Sequence, residues 1–176
     1  KNLDLAATFS YQLGGKVLTI SGPDGYVYDP DGVGTKEKWD FMLEMRASGR
    51  DRAQDYAEKF GCEFHAKEKP WGVKVDICMP CATQNEINVD EAKKIIANGT
   101  KYYIEVANMP TTAEAIEYFL ENKVIVAPSK AVNAGGVCVS GLEMSQNSQR
   151  LAWTAEKVDE MLKSAMKNIY DISVDA

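Results

Sequence analysis

The chain has little histidine, no long apolar run and no excess of cationic residues. It contains 1 histidine in 176 residues, and no apolar stretch approaches the roughly 20 residues of a membrane-spanning helix. Its 20 Lys and Arg are outnumbered by 26 Asp and Glu, which gives a net charge of −6. No positively charged start leads into an apolar signal segment. These absences predict a cytoplasmic protein without a membrane or nucleic-acid partner.

The four cysteines offer no obvious metal site. Cys78 and Cys81 form one C-x-x-C pair, but a zinc site would need two more ligands at suitable spacing, and His65 lies apart in a charged segment. Cys78 is better explained as a small hydrophobic residue at the end of a buried strand. We therefore expect no bound metal.

Strand-like and helix-like segments alternate along the chain, as they do in stacked βαβ units. A length of 176 residues with 45% hydrophobic residues suits one globular domain with a sizeable core. Strands are expected over residues 16–20, 73–79, 102–106 and 124–127, and helices over residues 3–13, about 36–46 and 51–60. A loop or tight turns are expected over residues 21–34. The pattern predicts an α/β fold.

Three of the expected strands lead directly into short loops of small and polar residues. These loops span residues 80–85, 107–112 and 128–136. In an open parallel sheet, ligands bind in the crevice beyond the carboxyl ends of the strands, where loops and helix N-termini converge. The repeated junctions therefore predict a nucleotide site at this edge of the sheet.

Helices are expected to begin directly after two of these loops. Asn88 with Glu91, and Thr111 with Glu114, have the spacing of a capping box. The amide groups at both helix N-termini would then face the ligand crevice.

Asp24 follows the first expected strand. A dinucleotide fold begins with a strand, a Gly-rich turn and a helix, and an acidic residue about 20 residues later binds the ribose. The chain is expected to start inside that first helix, so that strand 16–20 is the second strand and Asp24 stands at the ribose position. Asp24 also lies in a Gly-Pro-Asp-Gly sequence that forms a tight turn unaided, and both interpretations stay open.

Six segments of the chain carry a family resemblance. They are S-G-P-D-G-Y-V-Y-D-P-D-G from Ser21, P-W-G from Pro70, P-C-A-T-Q-N-E-I from Pro80, A-N-M-P-T-T from Ala107, A-P-S-K-A-V-N-A-G-G-V from Ala127 and V-S-G-L-E-M-S-Q-N-S-Q-R-L from Val139. In this order and spacing they resemble the coenzyme domain of the hexameric bacterial glutamate dehydrogenases. The resemblance implies a Rossmann-like doubly wound, mostly parallel sheet that lacks its first strand and Gly-rich turn. Residues 1–176 would form one partial coenzyme-binding domain, with the substrate domain outside the chain.

The resemblance also implies an activity. The reaction is the reversible NAD-dependent oxidative deamination of L-glutamate to 2-oxoglutarate and ammonia, carried out by a homo-hexamer. The catalytic Lys and Asp are expected in the missing substrate domain, so this chain by itself is predicted to be inactive. A related dehydrogenase acting on leucine, valine or phenylalanine, and a non-catalytic nucleotide-binding or interaction fragment, are the alternatives.

The resemblance assigns roles to individual residues. Asn133 matches the residue near the nicotinamide carboxamide, a group that needs both a donor and an acceptor. Ser140 matches a position that offers a hydroxyl to the substrate γ-carboxylate. The implied coenzyme contacts are Ser21, Gly22, Pro23, Asp24, Ala82, Thr83, Gln84, Asn108 and Asn133, and the implied substrate contacts are Val137 and Ser140.

The residues around Asp24 bear on the choice of coenzyme. No Lys or Arg directly follows the strand there, and the carboxylate would repel the 2′-phosphate of NADP. An acid at this position instead accepts a hydrogen bond from the ribose 2′-hydroxyl of NAD. NAD is therefore the expected coenzyme, in preference to NADP.

Overall fold

Helices pack on two separate three-stranded sheets in the computed structural model, which describes residues 13–50 and 52–175. The helix expected over residues 3–13 falls outside the described residues, apart from its last residue. In chain order the strands are β1 (Thr19–Gly22), β2 (Gly25–Tyr28), β3 (Glu63–Ala66), β4 (Ile77–Cys78), β5 (Tyr102–Ile104) and β6 (Ile125–Ala127). The helices are α1 (Lys36–Ala47), α2 (Ala53–Phe60), α3 (Val89–Ala97), α4 (Ala113–Glu121), α5 (Ser129–Val132), α6 (Ala134–Gln149) and α7 (Ala155–Val174), with a 3-10 turn at Pro70–Gly72.

The first sheet is antiparallel, in the order β1-β2-β3. Gly22 pairs with Gly25, so the two residues between them form a tight turn that returns the chain into β2. A Cβ atom at Gly25 would lie 2.2 Å from the carbonyl oxygen of His65 in β3, which requires glycine there. A tight turn is thus present within residues 21–34 as expected, but residues 25–28 form a strand, because the turn folds this segment back onto β1. The pairing in this sheet is antiparallel, and the parallel strands lie in the second sheet.

Helices α1 and α2 contribute to the core of the first sheet. Thr35 caps α1, since its hydroxyl oxygen accepts a hydrogen bond from the Lys38 amide at 3.4 Å. Gly61 ends helix α2, and its φ of 68° lies in the left-handed region. Glycine is favoured in this conformation after the last residue of a helix. The buried members of the core are Val27, Val33, Met42, Met45, Ala53, Tyr56 and Ala57.

A buried carboxylate joins the first sheet to both of its helices. Asp29 lies directly after β2 and is 1% exposed. Its Oδ2 atom accepts hydrogen bonds from Lys38 Nζ at 2.6 Å and from the Tyr56 hydroxyl at 2.9 Å. Because Lys38 belongs to α1 and Tyr56 to α2, one side chain holds three elements together.

The second sheet is parallel, in the order β4-β5-β6. Its strands lie inside the three predicted runs but are shorter. Tyr103 of β5 and Phe119 of α4 are fully buried, and their rings stack with centroids 4.2 Å apart. The parallel strands place their carboxyl ends, and the polar loops that follow them, at one edge of the sheet.

Helices α6 and α7 pack against each other after the second sheet. Their approach is close at Gly135, where a Cβ atom would lie 3.5 Å from Leu162 Cδ1. None of the helices within residues 13–50 and 52–175 combines the length and apolar character needed to cross a membrane.

Candidate functional site

The loops that follow β4 and β5 run side by side at the carboxyl edge of the second sheet. The Ala107 amide donates to the Pro80 carbonyl at 3.0 Å, and the Asn85 amide donates to the Met109 carbonyl at 2.9 Å. An isolated parallel bridge between Ile87 and Thr111 extends this pairing. The two loops predicted to contact a nucleotide are therefore brought together by backbone hydrogen bonds.

Two residues of these loops have left-handed backbone conformations. Asn85 has φ 53° and Met109 has φ 47°. This conformation is uncommon in residues other than glycine, and it is better tolerated by asparagine than by methionine. Residues held in such conformations cluster at ligand sites. The paired turns thus mark this edge of the sheet as a candidate site.

The loop after β4 is held by a buried glutamate. Glu86 Oε2 accepts a hydrogen bond from the Thr83 amide at 3.2 Å, and the Glu86 side chain is 3% exposed. Lys69 Nζ lies 3.7 Å from Glu86 Oε1. This arrangement fixes the turn while leaving Ala82 and Gln84 exposed at the surface of the loop.

A second buried glutamate holds the loop after β6. Glu105 Oε2 accepts a hydrogen bond from the Ser129 amide at 3.0 Å. The Ser129 carbonyl in turn accepts from the Asn133 amide at 2.9 Å. Asn133 is the half-buried residue between α5 and α6, and Asn108 is exposed in the loop after β5.

Asp24 occupies the turn between β1 and β2, and its carboxylate caps a helix. Oδ1 accepts from the Ala53 amide and Oδ2 from the Gln54 amide, both at 3.1 Å. The N-cap position of α2 is Arg52, which makes no side-chain capping bond itself. A carboxylate has about four acceptor positions, so capping leaves Asp24 able to accept further hydrogen bonds.

One cavity of about 960 Å³ connects the two sheets. Its lining includes Ser21, Gly22 and Pro23 from the β1 end, and Ala82 and Thr83 from the loop after β4. These two groups of expected coenzyme contacts are therefore brought together.

Val137 and Ser140 lie on α6, apart from the residues that line this cavity. Val137 is 76% exposed, and the Ser140 hydroxyl donates to the Gly136 carbonyl at 3.1 Å within the helix. Both side chains are exposed on the surface of the helix.

One of the two expected capping boxes forms. The Asn88 side chain accepts from the Asp90 and Glu91 amides, and the Glu91 side chain accepts from the Asn88 amide. The box expected at Thr111 is wrong, because the Thr111 hydroxyl hydrogen-bonds the buried Tyr103 hydroxyl at 2.6 Å. Helix α4 begins one residue later than that box would place it, after Thr112.

Of the cysteine pair, Cys78 is buried and Cys81 is half-buried. Burial is the main cause that raises the pKa of Cys78 to about 12 and that of Cys81 to about 11, so both stay as thiols near neutral pH. Within residues 13–50 and 52–175, no group of three or more His, Cys, Asp or Glu side chains is placed to hold a metal ion.

The sequence predicted no role for Glu86 or Glu105, the two glutamates that hold the loops. The available signal for Glu105 was a carboxylate directly after an apolar strand, where the side chain meets the loops of neighbouring strands. Its hydrogen-bond partner is 24 residues away in the chain, so the contact depends on the sheet order.

The chain is similar to known amino-acid dehydrogenases. The family model for Glutamate/Leucine/Phenylalanine/Valine dehydrogenase matches residues 4–176. The chain is 63% identical over 166 residues to the NAD-specific glutamate dehydrogenase of Clostridium symbiosum, covering 94% of this chain and 37% of that protein. It is 49% identical over 164 residues to the NADP-specific glutamate dehydrogenase of Escherichia coli, covering 93% of this chain and 36% of that protein.

Solved structures give the same result. A glutamate dehydrogenase with 63% identity matches with a TM-score of 0.87, over 94% of this chain and 37% of that chain. The Plasmodium falciparum glutamate dehydrogenase, with 44% identity, matches with a TM-score of 0.86 over 95% of this chain and 36% of that chain. The chain spans little more than a third of the length of these relatives. It belongs to the Glutamate/Leucine/Phenylalanine/Valine dehydrogenase family.

Proposed function

We propose that the chain is the coenzyme-binding part of an NAD-dependent glutamate dehydrogenase. The complete enzyme would catalyse the reversible oxidative deamination of L-glutamate to 2-oxoglutarate and ammonia. The observation that carries the proposal is the cavity shared by the β1–β2 turn and the loop after β4, because the resemblance assigns both segments to the coenzyme. Identity of 63% to an NAD-specific glutamate dehydrogenase supports NAD as the coenzyme.

The side chains of the expected coenzyme contacts suit a bound NAD. Asp24 keeps acceptor positions for a ribose 2′-hydroxyl after it has capped α2. The small exposed side chain of Ala82 permits close approach, and Thr83 and Gln84 offer donors beside it. When bound, NAD supplies the nicotinamide ring that exchanges a hydride with the substrate α-carbon. The chain's part is to hold and orient that ring.

Four further residues are proposed to orient the nicotinamide and the substrate. The Asn133 amide offers both a donor and an acceptor for the carboxamide, and Asn108 adds a polar contact from the loop after β5. Val137 and Ser140 face the substrate, where the Ser140 hydroxyl turns from the Gly136 carbonyl to donate to the γ-carboxylate. Hydride transfer needs this alignment in a site that excludes water.

The isolated chain should show no glutamate-dependent formation of NADH, because the catalytic Lys and Asp are expected in the substrate domain. The complete enzyme should show it, and NADH absorbance measures both. Leucine, valine and phenylalanine are the comparison substrates for the complete enzyme. Turnover by the isolated chain would contradict the first expectation, and a larger kcat/KM for a comparison substrate would contradict the choice of glutamate.

The two sheets are proposed to be parts of one Rossmann-like doubly wound sheet, with a further strand between them. Among the residues that the structure describes, β1 and β4 are edge strands, and the connecting cavity lies between them. Leu18 and Ile20 line it from the β1 side, and Val75 and Ile77 from the β4 side. A strand in this position would pair with two open edges that otherwise present unpaired backbone groups.

Amide exchange should reveal that strand. In the complete enzyme the amides of β1 and β4 should exchange slowly, whereas in the isolated chain they should exchange fast and the chain should tend to aggregate. Hydrogen-exchange mass spectrometry on peptides covering residues 17–22 and 75–79 measures the difference. Strand β5 is central in its sheet and serves as the control that is protected in both proteins. Equal protection of β1 in the two proteins would exclude the inserted strand.

The complete enzyme is also proposed to be a homo-hexamer that acts in the cytoplasm. The hexamer rests on the resemblance to the hexameric bacterial enzymes, and the location is the expectation drawn from the sequence. Light scattering after size-exclusion chromatography measures the assembly, and a mass other than that of six subunits would contradict it.

A further inference from the structure

Glu105 is a buried acid that the coenzyme and substrate assignments do not use. It follows β5 directly and is 6% exposed. A buried carboxylate costs free energy unless its oxygens are hydrogen-bonded. Here the Ser129 amide donates to Oε2 at 3.0 Å. The position of Glu105 therefore depends on a contact to the start of α5.

This contact leads to Asn133 through one more hydrogen bond. Helix α5 spans only Ser129–Val132, and the Ser129 carbonyl accepts from the Asn133 amide at 2.9 Å. Two hydrogen bonds thus connect the Glu105 carboxylate with the backbone of Asn133. Movement of Ser129 away from Glu105 would move the turn that presents the Asn133 side chain.

The backbone of Glu105 lies at the carboxyl edge of the second sheet. Its amide donates to the Ala127 carbonyl at 3.0 Å, which joins β5 to the end of β6. Two residues further on, the Ala107 amide donates to the Pro80 carbonyl at 3.0 Å, just before Asn108. Glu105 therefore stands where the loops that carry Asn108 and Asn133 leave the sheet.

We propose that Glu105 is a positioning residue of the coenzyme site, which holds Asn133 in place through Ser129. The proposal rests on the proposed function, since it takes Asn133 as the contact to the nicotinamide carboxamide. This role requires no contact between Glu105 and the coenzyme. Its effect is to keep the Asn133 amide where the carboxamide needs a donor and an acceptor.

Three substitutions in the complete enzyme test this role. Glu105→Asp keeps the charge but withdraws the oxygens by one methylene group, and Glu105→Ala removes them. Both should raise the Kd for NADH and the KM for NAD about tenfold, because misplacing a contact group weakens binding at the site. Glu105→Gln keeps an oxygen that accepts from the Ser129 amide and should stay within about threefold of wild type. NADH fluorescence titration gives the Kd without any turnover.

Two further measurements separate positioning from general stability. The KM for glutamate should stay within about twofold of wild type in all three variants. Glu121→Ala changes an exposed glutamate at the end of α4 and should leave both coenzyme constants unchanged. If Glu105→Ala does not fold, Glu105→Asp carries the test.

The outcomes distinguish the two proposals. A wild-type enzyme that neither binds NADH nor turns over glutamate would overturn the proposed function. An active wild type together with an unchanged Kd for NADH in Glu105→Asp would overturn the positioning role only, even if the melting temperature falls. A higher Kd in Glu105→Asp that Glu105→Gln restores is the expected result.

Discussion

Replacing Asp24 by lysine in the complete enzyme should lower kcat/KM for NAD by about one to two orders of magnitude and raise activity with NADP. The carboxylate would no longer accept from the ribose 2′-hydroxyl, a hydrogen bond to a charged acceptor that contributes roughly 1.5–3 kcal/mol. The lysine would add an attractive charge for the 2′-phosphate. Asp24→Ser should also weaken NAD but should raise NADP activity less, because it adds no charge. Both specificity constants are measured for wild type and each variant.

The position of Asp24 adds a second effect to these substitutions. Its carboxylate accepts from the Ala53 and Gln54 amides, so it caps α2 whether or not coenzyme is bound. Loss of an N-terminal cap costs about 1 kcal/mol. Each substitution should therefore lower the melting temperature as well as change the coenzyme preference.

Two variants separate the capping role from the coenzyme role. Asp24→Asn keeps an oxygen for the α2 amides but removes the charge that repels NADP, so it should change the NAD/NADP ratio with a smaller loss of stability. Thr35→Ala removes the cap of α1 and should lower stability without changing that ratio. An unchanged ratio in Asp24→Lys would show that Asp24 is only a turn and capping residue.

Features set by neighbouring residues were predictable from the sequence. The Thr35 cap, the end of α2 at Gly61 and the capping box at Asn88 each depend on a few adjacent positions. The three parallel strands were predictable in the same way, because apolar runs followed by polar loops need no distant partner to be recognised. These junctions also located the candidate site.

Features set by distant partners were not predictable. Strand β2 lies in a segment rich in Gly, Pro and Asp, and it becomes a strand because β1 and β3 pair with it on either side. Asp24 caps a helix that begins 29 residues later, and Thr111 bonds to Tyr103 across the fold instead of capping α4. The burial of Glu105 likewise depends on a partner strand. Sequence spacing carries no information about such contacts until the strand order is known.

Asp29→Ala should be the most destabilising single change in the first sheet. It removes the acceptor for Lys38 Nζ at 2.6 Å and for the Tyr56 hydroxyl at 2.9 Å. The Lys38 side chain is 13% exposed, so its charge would be left nearly buried without an anionic partner, with only the Gly32 carbonyl at 2.8 Å to accept from it. Breaking a buried ion pair in this way costs about 3–5 kcal/mol. Scanning calorimetry of the complete enzyme should show a melting temperature lower by on the order of 10 °C.

The Asp29 network should also make stability depend on pH in the acid range. Burial by itself raises the pKa of Asp29, but hydrogen bonds from Lys38 and then Tyr56, together with the Lys38 charge, hold that pKa below its usual value. A carboxyl group with a lowered pKa in the folded state stabilises the protein above its unfolded pKa of about 3.9. That stabilisation is lost as pH falls through the folded pKa. The melting temperatures of wild type and Asp29→Ala should therefore converge between pH 7 and strongly acidic pH.

Two controls test whether the buried pair causes the loss. Lys93 and Asp90 form an exposed ion pair at 3.2 Å, with side chains 55% and 80% exposed, so Lys93→Ala should cost less than about 1 kcal/mol. The double variant Asp29→Ala with Lys38→Met should be more stable than Asp29→Ala, because no unpaired cation remains in the core. If Asp29→Ala costs no more than Lys93→Ala, the ion pair does not hold β2, α1 and α2 together. A double variant no more stable than Asp29→Ala would instead assign the loss to the other donors that Asp29 satisfies, the Tyr56 hydroxyl and the Asp31 amide.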